Sequence, residues 1–375
     1  MDYKNPTVSI IVINFNGLNH LKNCIPSLLK QNYPKDLIEI IVVDNGSKDQ
    51  SVSYLQKNYP EIKIIKNKKN EGFAKPNNQA ALIANGEYLA LINNDMFAKN
   101  DWLEQLVSTK KRTEADCIAG IILNWDGNKI DFVNAGMDQF GNPFQVDYNE
   151  SIEKLEEYNE EKELLFACGG AMLVNKEVYL KAGGFDEDFF AYYEDVDFGW
   201  RLRILGYKVI RSPQAICYHR HQGTSSKFHK NKRGYHMGIN SLLMVYKNYD
   251  DNNYLKFLVG SLLIGFARLT EMVEIDLYSL HFSNPSTKNH TNTILPNFKR
   301  KLLLLSKMNR IRLILTIVSG FVIQLPKFKE KRKKIQNNRV RSDIDIKQGV
   351  IGLYKHFKKD EYITYFVDVF SKWDI

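Results

Sequence analysis

The sequence predicts an α/β protein: a doubly wound, mostly parallel, Rossmann-like sheet followed by a C-terminal helical extension. Three observations carry this expectation. Between residues 8 and 95, short β-branched or apolar runs alternate with amphipathic segments through short connections, the pattern of parallel strands with crossover helices. Several of those runs stop at polar residues, notably Asn14, Asp44 and Asn93-Asn-Asp95. Beyond about residue 238 the pattern changes to longer helical segments rich in Lys and Asn.

Taken in order, Val8-Ser-Ile-Ile-Val-Ile13 is a strand that stops at the turn Asn14-Phe-Asn-Gly17. An amphipathic helix follows over 18–31, with Leu21, Ile25, Leu28 and Leu29 on one face, and Pro34 closes it. Ile38-Glu-Ile-Ile-Val-Val43 is the second strand and ends at Asp44-Asn-Gly-Ser47. A helix over 51–58, a strand over 62–65 and a helix over 76–84 lead to Tyr88-Leu-Ala-Leu-Ile92, an apolar strand expected to be buried on both faces. Further on, 164–174 reads as a strand whose Gly169-Gly170 pair admits a ligand or backbone at close range. Residues 191–203 read as a helix with Glu194, Asp195 and Asp197 in its first turn, where the helix dipole favours acids. Strands over 207–210 and 215–221 follow. His219 and His221 alternate on the second and so point to opposite faces.

Composition bounds the answer. A chain of 375 residues with 44% hydrophobic content can build one large or two medium domains, here divided as 1–237 and 238–375. Met1-Asp-Tyr-Lys runs directly into a strand pattern, so no secretory leader is expected. Cys24, Cys117, Cys168 and Cys217 lie far apart, in neither a zinc pattern nor a compact disulfide framework, which suits a reducing cytoplasm. No eighteen-residue apolar run occurs, and a regular membrane-spanning helix is not expected. The net charge of +9 is concentrated: residues 296–341 carry +13, leaving the rest slightly acidic.

Parallel strands bring Asn14, Asp44 and Asp95 to one sheet edge, where open α/β sheets bind ligands. Asp44 there can accept from a base or ribose, and Asp95 can hold a divalent cation against phosphate. Plainer uses exist for each: an Asx turn for Asp44, and a cap for the helix beginning near Trp102 in the case of Asp95. Phe189, Phe190, Tyr192 and Tyr193 crowd Glu194-Asp195. Apolar neighbours raise a carboxylate toward a useful general base, and flat rings suit a sugar face. Phe190, Tyr193 and Glu194 are therefore candidate acceptor contacts. Asp197 reads as an i,i+4 partner of Arg201, and His219, taken alone, as a structural histidine.

Together these segments resemble the family 2 glycosyltransferases of the GT-A fold, in particular the non-processive bacterial rhamnosyl- and galactofuranosyltransferases. The resemblance spans about residues 6–226. It rests on Val8 to Asn16, Val42-Val-Asp-Asn-Gly-Ser47, Asn70-Glu-Gly-Phe-Ala74 with Asn78, Asn93-Asn-Asp95, Gly183-Gly-Phe-Asp186 and Glu194-Asp-Val-Asp197 in that order. It implies a nucleotide site at Ile13, Asn14, Phe15, Asp44, Asn70, Asn78 and Asn94. It also implies that Asp95 and His219 bind Mg2+ or Mn2+, and that Asp195 is the catalytic base of an inverting transfer. The family's Asp-X-Asp motif has Asn93 in its first position here, which removes one negative charge. No Gln-X-X-Arg-Trp motif of the processive synthases is present.

The donor implied is a nucleoside-diphosphate sugar, dTDP-rhamnose or a UDP-sugar, and the acceptor a glycan or polyprenyl-linked sugar. In the C-terminal part, 255–267 and 313–325 are thirteen-residue apolar segments, a length for core or interfacial helices. With basic flanks they predict peripheral attachment to the anionic inner face of the cell membrane, at about 1 kcal/mol per cation. A homodimer or bundle interface is the competing use. No nucleic-acid motif accompanies the charge. Two other functions compete: a catalytically silent nucleotide-sugar or glycan-binding subunit, and a nucleotidyltransferase, for which Asn14-Phe-Asn-Gly17 lacks the expected phosphate loop.

Overall fold

A computed structural model describes residues 5–220, 230–271 and 294–350. The parallel half of the sheet is built from β1 (Val8–Asn14), β2 (Ile38–Asp44), β3 (Lys63–Lys66) and β4 (Tyr88–Asn93), in the spatial order β3-β2-β1-β4. Helices α1 (Leu18–Leu29), α2 (Ser51–Asn58) and α3 (Ala74–Ile83) make the crossovers. β1, β2 and β4 are apolar on both faces because both are covered: Ile10, Val12, Ile41, Val42 and Leu91 are all buried. Each such side chain stabilises the fold by about 1.5–3 kcal/mol relative to exposure. The register sets Asn14 opposite Asp44 and Ile13 opposite Asn93, so the polar strand ends do meet at one edge.

The second half is mixed rather than parallel. β5 (Met96–Ala98), α4 (Trp102–Thr113), β6 (Cys117–Asn124), β7 (Ile130–Phe132) and the hairpin of β8 (Asn134–Met137) with β9 (Pro143–Val146) come first. β10 (Lys162–Glu163), β11 (Ala171–Asn175), α5 (Lys176–Lys181), α6 (Glu194–Ile204) and β12 (Val209–His219) follow. β11 lies antiparallel between β4 and β6, pairing Ala171 with Ile92. That direction delivers Gly169 and Gly170 to the edge where β4 ends.

Two expected strands differ from the observed ones. Of 164–174, only the end, from Ala171, is a strand; before it, Phe166, Cys168, Gly169 and Gly170 line the cleft instead. The segments 207–210 and 215–221 join into β12, which carries an irregularity between Arg211 and Ile216 around Pro213, a residue unable to donate to a regular ladder. His221 lies outside the described residues.

The C-terminal helices are longer than the apolar stretches suggest. α7 (Lys230–Asn248) starts before the expected division at 237 and packs on α6, α8 (Tyr254–Glu271) and α9 (Ile294–Asn337); α10 (Asp343–Val350) follows. α9 has 44 residues, with Pro326 inside it. Its stretch from Ile311 to Asn337 is long and apolar enough to cross a membrane, although little of the apolar part is buried. This corrects the expectation that no helix reaches that length. The basic stretch is also partly consumed within the fold. Lys331 pairs with Asp186 and Asp188, Lys327 with Asp188, Arg332 with Asp251, Arg339 with Asp343 and Arg341 with Glu163.

Candidate active site

Where β1, β2 and β4 end, a cleft of about 500 Å³ opens, within the range of ligand pockets. Of the candidate residues, Ile13, Phe15, Asn70, Asn94 and Asp95 line it from the sheet edge. Phe190, Tyr193, Glu194 and Asp195 line it from the opposite wall, and His219 lines it beside Asp95.

Asn14 and Asp44 lie directly beneath. The Asn14 amide donates to Asp44 Oδ1 (3.0 Å) and to Ser47 Oγ (3.2 Å), while its own oxygen accepts from Asn94 Nδ2 (2.9 Å). Asp44 Oδ2 accepts from the Ser47 N–H, three residues on, and so closes the loop after β2. Asn45, which the sequence reading passed over, reaches the cleft itself and ties Asn70 to the Gly72 carbonyl. Asn78 is elsewhere: it accepts from the Tyr179 hydroxyl and the Phe185 N–H and donates to the Phe185 carbonyl. In this position it braces the Gly183-Gly184 turn.

The opposite wall is centred on the start of α6. Asp195 Oδ2 accepts from the Gly169 N–H (3.0 Å) and Oδ1 from the Val196 N–H (2.9 Å), which fixes the carboxylate in the cleft. Burial raises its pKa, and these hydrogen bonds offset only part of the rise. Glu194 is 8% exposed, and its Oε2 has no hydrogen-bond partner among the described residues. Burial first, then the charge of Asp195, pushes it well above the usual carboxylate range.

Immediately before these acids, Tyr192 (φ 70°) and Tyr193 (φ 72°) are both left-handed, a conformation costly for bulky residues. Asn240 of α7 holds them: its amide donates to the Ala191 and Tyr192 carbonyls (3.1 and 2.8 Å). The Phe190 carbonyl accepts from the Phe73 N–H (2.7 Å). Gly72 is required beside it, since a Cβ there would lie 2.1 Å from that oxygen. The aromatic residues divide: Phe189 is core, stacked on Phe328 of α9, while Phe190 stacks on His236 at the cleft. Asp197 is structural, buried against Arg201 (2.8 Å), Lys247 and Asn248.

At the end of β12, His219 Nε2 lies 3.4 Å from Asp95 Oδ2, and its Nδ1 lies 2.6 Å from Asp131 Oδ2. Burial alone would lower the imidazole pKa, but the bonds to Asp131 and Asp95 raise it to about 9. Burial would likewise raise Asp95, yet the hydrogen bond and charge of His219 hold it below its ordinary value. A carboxylate oxygen and an imidazole nitrogen converging on a cleft are suitable donors for Mn2+ or Mg2+. Among the described residues no three His, Cys, Asp or Glu side chains form a complete metal site. A cation here would therefore also need oxygens from its ligand. Asn93 also lines the cleft, with its amide nitrogen on the side of Gly170.

Residues 9–183 match the model of Glycosyl transferase family 2. The O-antigen biosynthesis protein RfbC of Myxococcus xanthus is 31% identical over 229 residues, 59% of this chain and 18% of that protein. A dolichyl N-acetyl-alpha-D-glucosaminyl phosphate 3-beta-D-2,3-diacetamido-2,3-dideoxy-beta-D-glucuronosyltransferase of Methanococcus voltae is 26% identical, covering 64% of this chain and 75% of its own. The chain spans less than half the length of the first curated relatives it matches. Among solved structures, the mannosyltransferase PcManGT of Pyrobaculum calidifontis, in complex with GDP-Man and Mn2+, is 16% identical. It superposes with a TM-score of 0.52 over 85% of this chain and 88% of that one. The fold is that of the GT-A glycosyltransferases.

Proposed function

We propose that this chain is a metal-assisted, inverting glycosyltransferase of bacterial surface-polysaccharide synthesis. It moves a sugar from a nucleoside-diphosphate sugar to a hydroxyl of a glycan or polyprenyl-linked acceptor. The carrying observation is Asp195, a buried carboxylate of raised pKa, aimed by the Gly169 N–H into a cleft whose far end is an amide-rich strand edge. Asn14, Asn45, Asn70 and Asn94 suit the polar edges of a nucleotide. The name of the Myxococcus relative supports the O-antigen type of pathway. Asn93 in the first motif position favours dTDP-rhamnose over a UDP-hexose, on the resemblance described above.

In the reaction, Asp195 accepts the proton of the acceptor hydroxyl as its oxygen attacks the anomeric carbon. The bond to the nucleoside diphosphate breaks in the same displacement, the leaving phosphate takes the electron pair, and the configuration inverts. Cys168 lines the cleft but is no rival nucleophile: burial, then the charge of Asp195, keeps its thiol protonated. Asp95 and His219 would hold Mg2+ or Mn2+, which supplies positive charge against the departing diphosphate.

The exposed apolar residues of α9, Ile311, Leu315, Val322 and Ile323, beside the exposed Arg312 and Lys329, support docking on the anionic inner face of the membrane. Failure to sediment with anionic vesicles would remove that part. A second reading, a silent nucleotide-sugar-binding subunit, is favoured only by the charge missing at Asn93. It predicts donor binding without transfer or hydrolysis.

The test is a melting panel with UDP, dTDP and GDP, each with and without Mn2+, repeated on Asp95→Ala. A ligand at one hundred times its dissociation constant adds about 2.7 kcal/mol. A metal-dependent rise for one nucleotide, lost in the variant, supports the site and identifies the donor class. No rise with any nucleotide overturns it.

A further inference from the structure

We infer that Asp131 is a positioning residue of the metal site: it orients His219 and sets the strength of its imidazole as a ligand. The inference rests on the metal reading above and adds a residue that no motif contains.

The placement of Asp131 is unusual. β7 is three residues long, paired with β6 at a register irregularity and fixed by the Ile130 N–H to the Glu150 carbonyl. Ile130 and Phe132 are buried, and the alternation of a strand turns Asp131 to the opposite side from both. Asp131 itself is only 5% exposed. A carboxylate so far from water is costly unless a polar partner meets it. One partner is His219, 88 residues away in sequence, at 2.6 Å.

The consequence follows from the two nitrogens of imidazole. With Nδ1 facing Asp131, Nε2 is the nitrogen that faces Asp95, at 3.4 Å. Donation of Nδ1–H to a carboxylate fixes the ring plane and, once a cation takes the place of the Nε2 proton, makes Nε2 the better donor to that cation. Asp131, His219 and Asp95 thus form a line from the buried strand to the cleft. A plain structural pairing of Asp131 with His219 would give the same distances. It would not give the same metal affinity when the charge is removed.

The experiment measures the Mn2+ dissociation constant of the full chain by titration calorimetry in saturating UDP, with dTDP or GDP instead if the melting panel selects one of them. Asp131→Asn keeps the shape and an acceptor oxygen but removes the charge; Asp131→Ala removes both. Loss of such a partner typically weakens metal affinity about 10–100-fold. The expected result is weakening of that order in Asp131→Ala, a smaller loss in Asp131→Asn, and unchanged nucleotide affinity without metal in both. If the alanine variant does not fold, the asparagine variant carries the comparison. Mn2+ affinity in Asp131→Asn and any folded Asp131→Ala within twofold of wild type, alongside a clear loss in His219→Ala, overturns the inference and leaves the metal site standing. Absence of Mn2+ binding in the wild type overturns the metal reading itself.

Discussion

On one side of the cleft, Asn14, Asp44, Asn45, Asn70 and Asn94 satisfy one another through side-chain hydrogen bonds at the ends of strands. On the other, two buried acids with raised pKa values follow two successive left-handed tyrosines, and an amide from a distant helix holds the turn. The first wall costs the fold little, because strand ends project polar groups there in any parallel sheet. The second stores free energy: each left-handed bulky residue costs about 1–3 kcal/mol, and packing elsewhere must compensate. Binding surface can come from topology alone, whereas a base held at raised pKa has to be restrained by tertiary contacts.

The sharpest separation of the two walls is Asp195→Asn. It should lower the transfer rate by about 10²–10⁴-fold, the usual worth of a general base, while the nucleotide-induced rise in melting temperature persists. An equal loss of nucleotide binding would mean that the walls do not act separately. Asn240→Ala should come next. Removing its two bonds costs about 1–3 kcal/mol in urea unfolding, and kcat should fall with donor KM unchanged. If stability falls while kcat stays constant, α7 props the fold without aiming the acids.

Glu194→Gln should have the smallest effect and the opposite sign. The folded-state pKa of Glu194 is raised, so the stability it contributes is complete below its unfolded value and is lost as pH rises through the folded one. The variant should therefore melt higher than wild type at neutral pH. The difference should close on acidification toward about pH 4, where the unfolded carboxyl is also protonated. A lower melting temperature at every pH would show that the carboxylate is bound into a network after all.

The same division decides what could be read from sequence. Asn14, Asp44 and Asp95 were legible as one edge because the end of a parallel strand is a position in sequence as well as in space. Asp197 was legible as structural because an i,i+4 pair is local. Asp131 was not, since a three-residue strand shows no periodicity and its partner lies in another element. Asn78 matches the motif of the resemblance, yet in the fold it braces the turn before Phe185 instead of facing the cleft. The stretch 164–170 looks like strand by composition. The Gly169 N–H is instead used on Asp195, which no count of apolar residues reveals. The C-terminal helices outrun their apolar stretches because cations interrupt the apolar runs. Those cations reach sideways to Asp186 and Asp188, so the helix continues through them.

That grip has a geometric consequence. A 44-residue helix is about 66 Å long at 1.5 Å per residue. Lys327 and Lys331, toward one end, hold the loop that leads within a few residues to the left-handed turn at Tyr192 and Tyr193. α9 is therefore a ruler fastened at the cleft. On the proposed function, whatever surface receives its outward apolar residues would also set the height at which an acceptor hydroxyl arrives. Acceptors of equal chemistry but unequal reach would then be told apart by length.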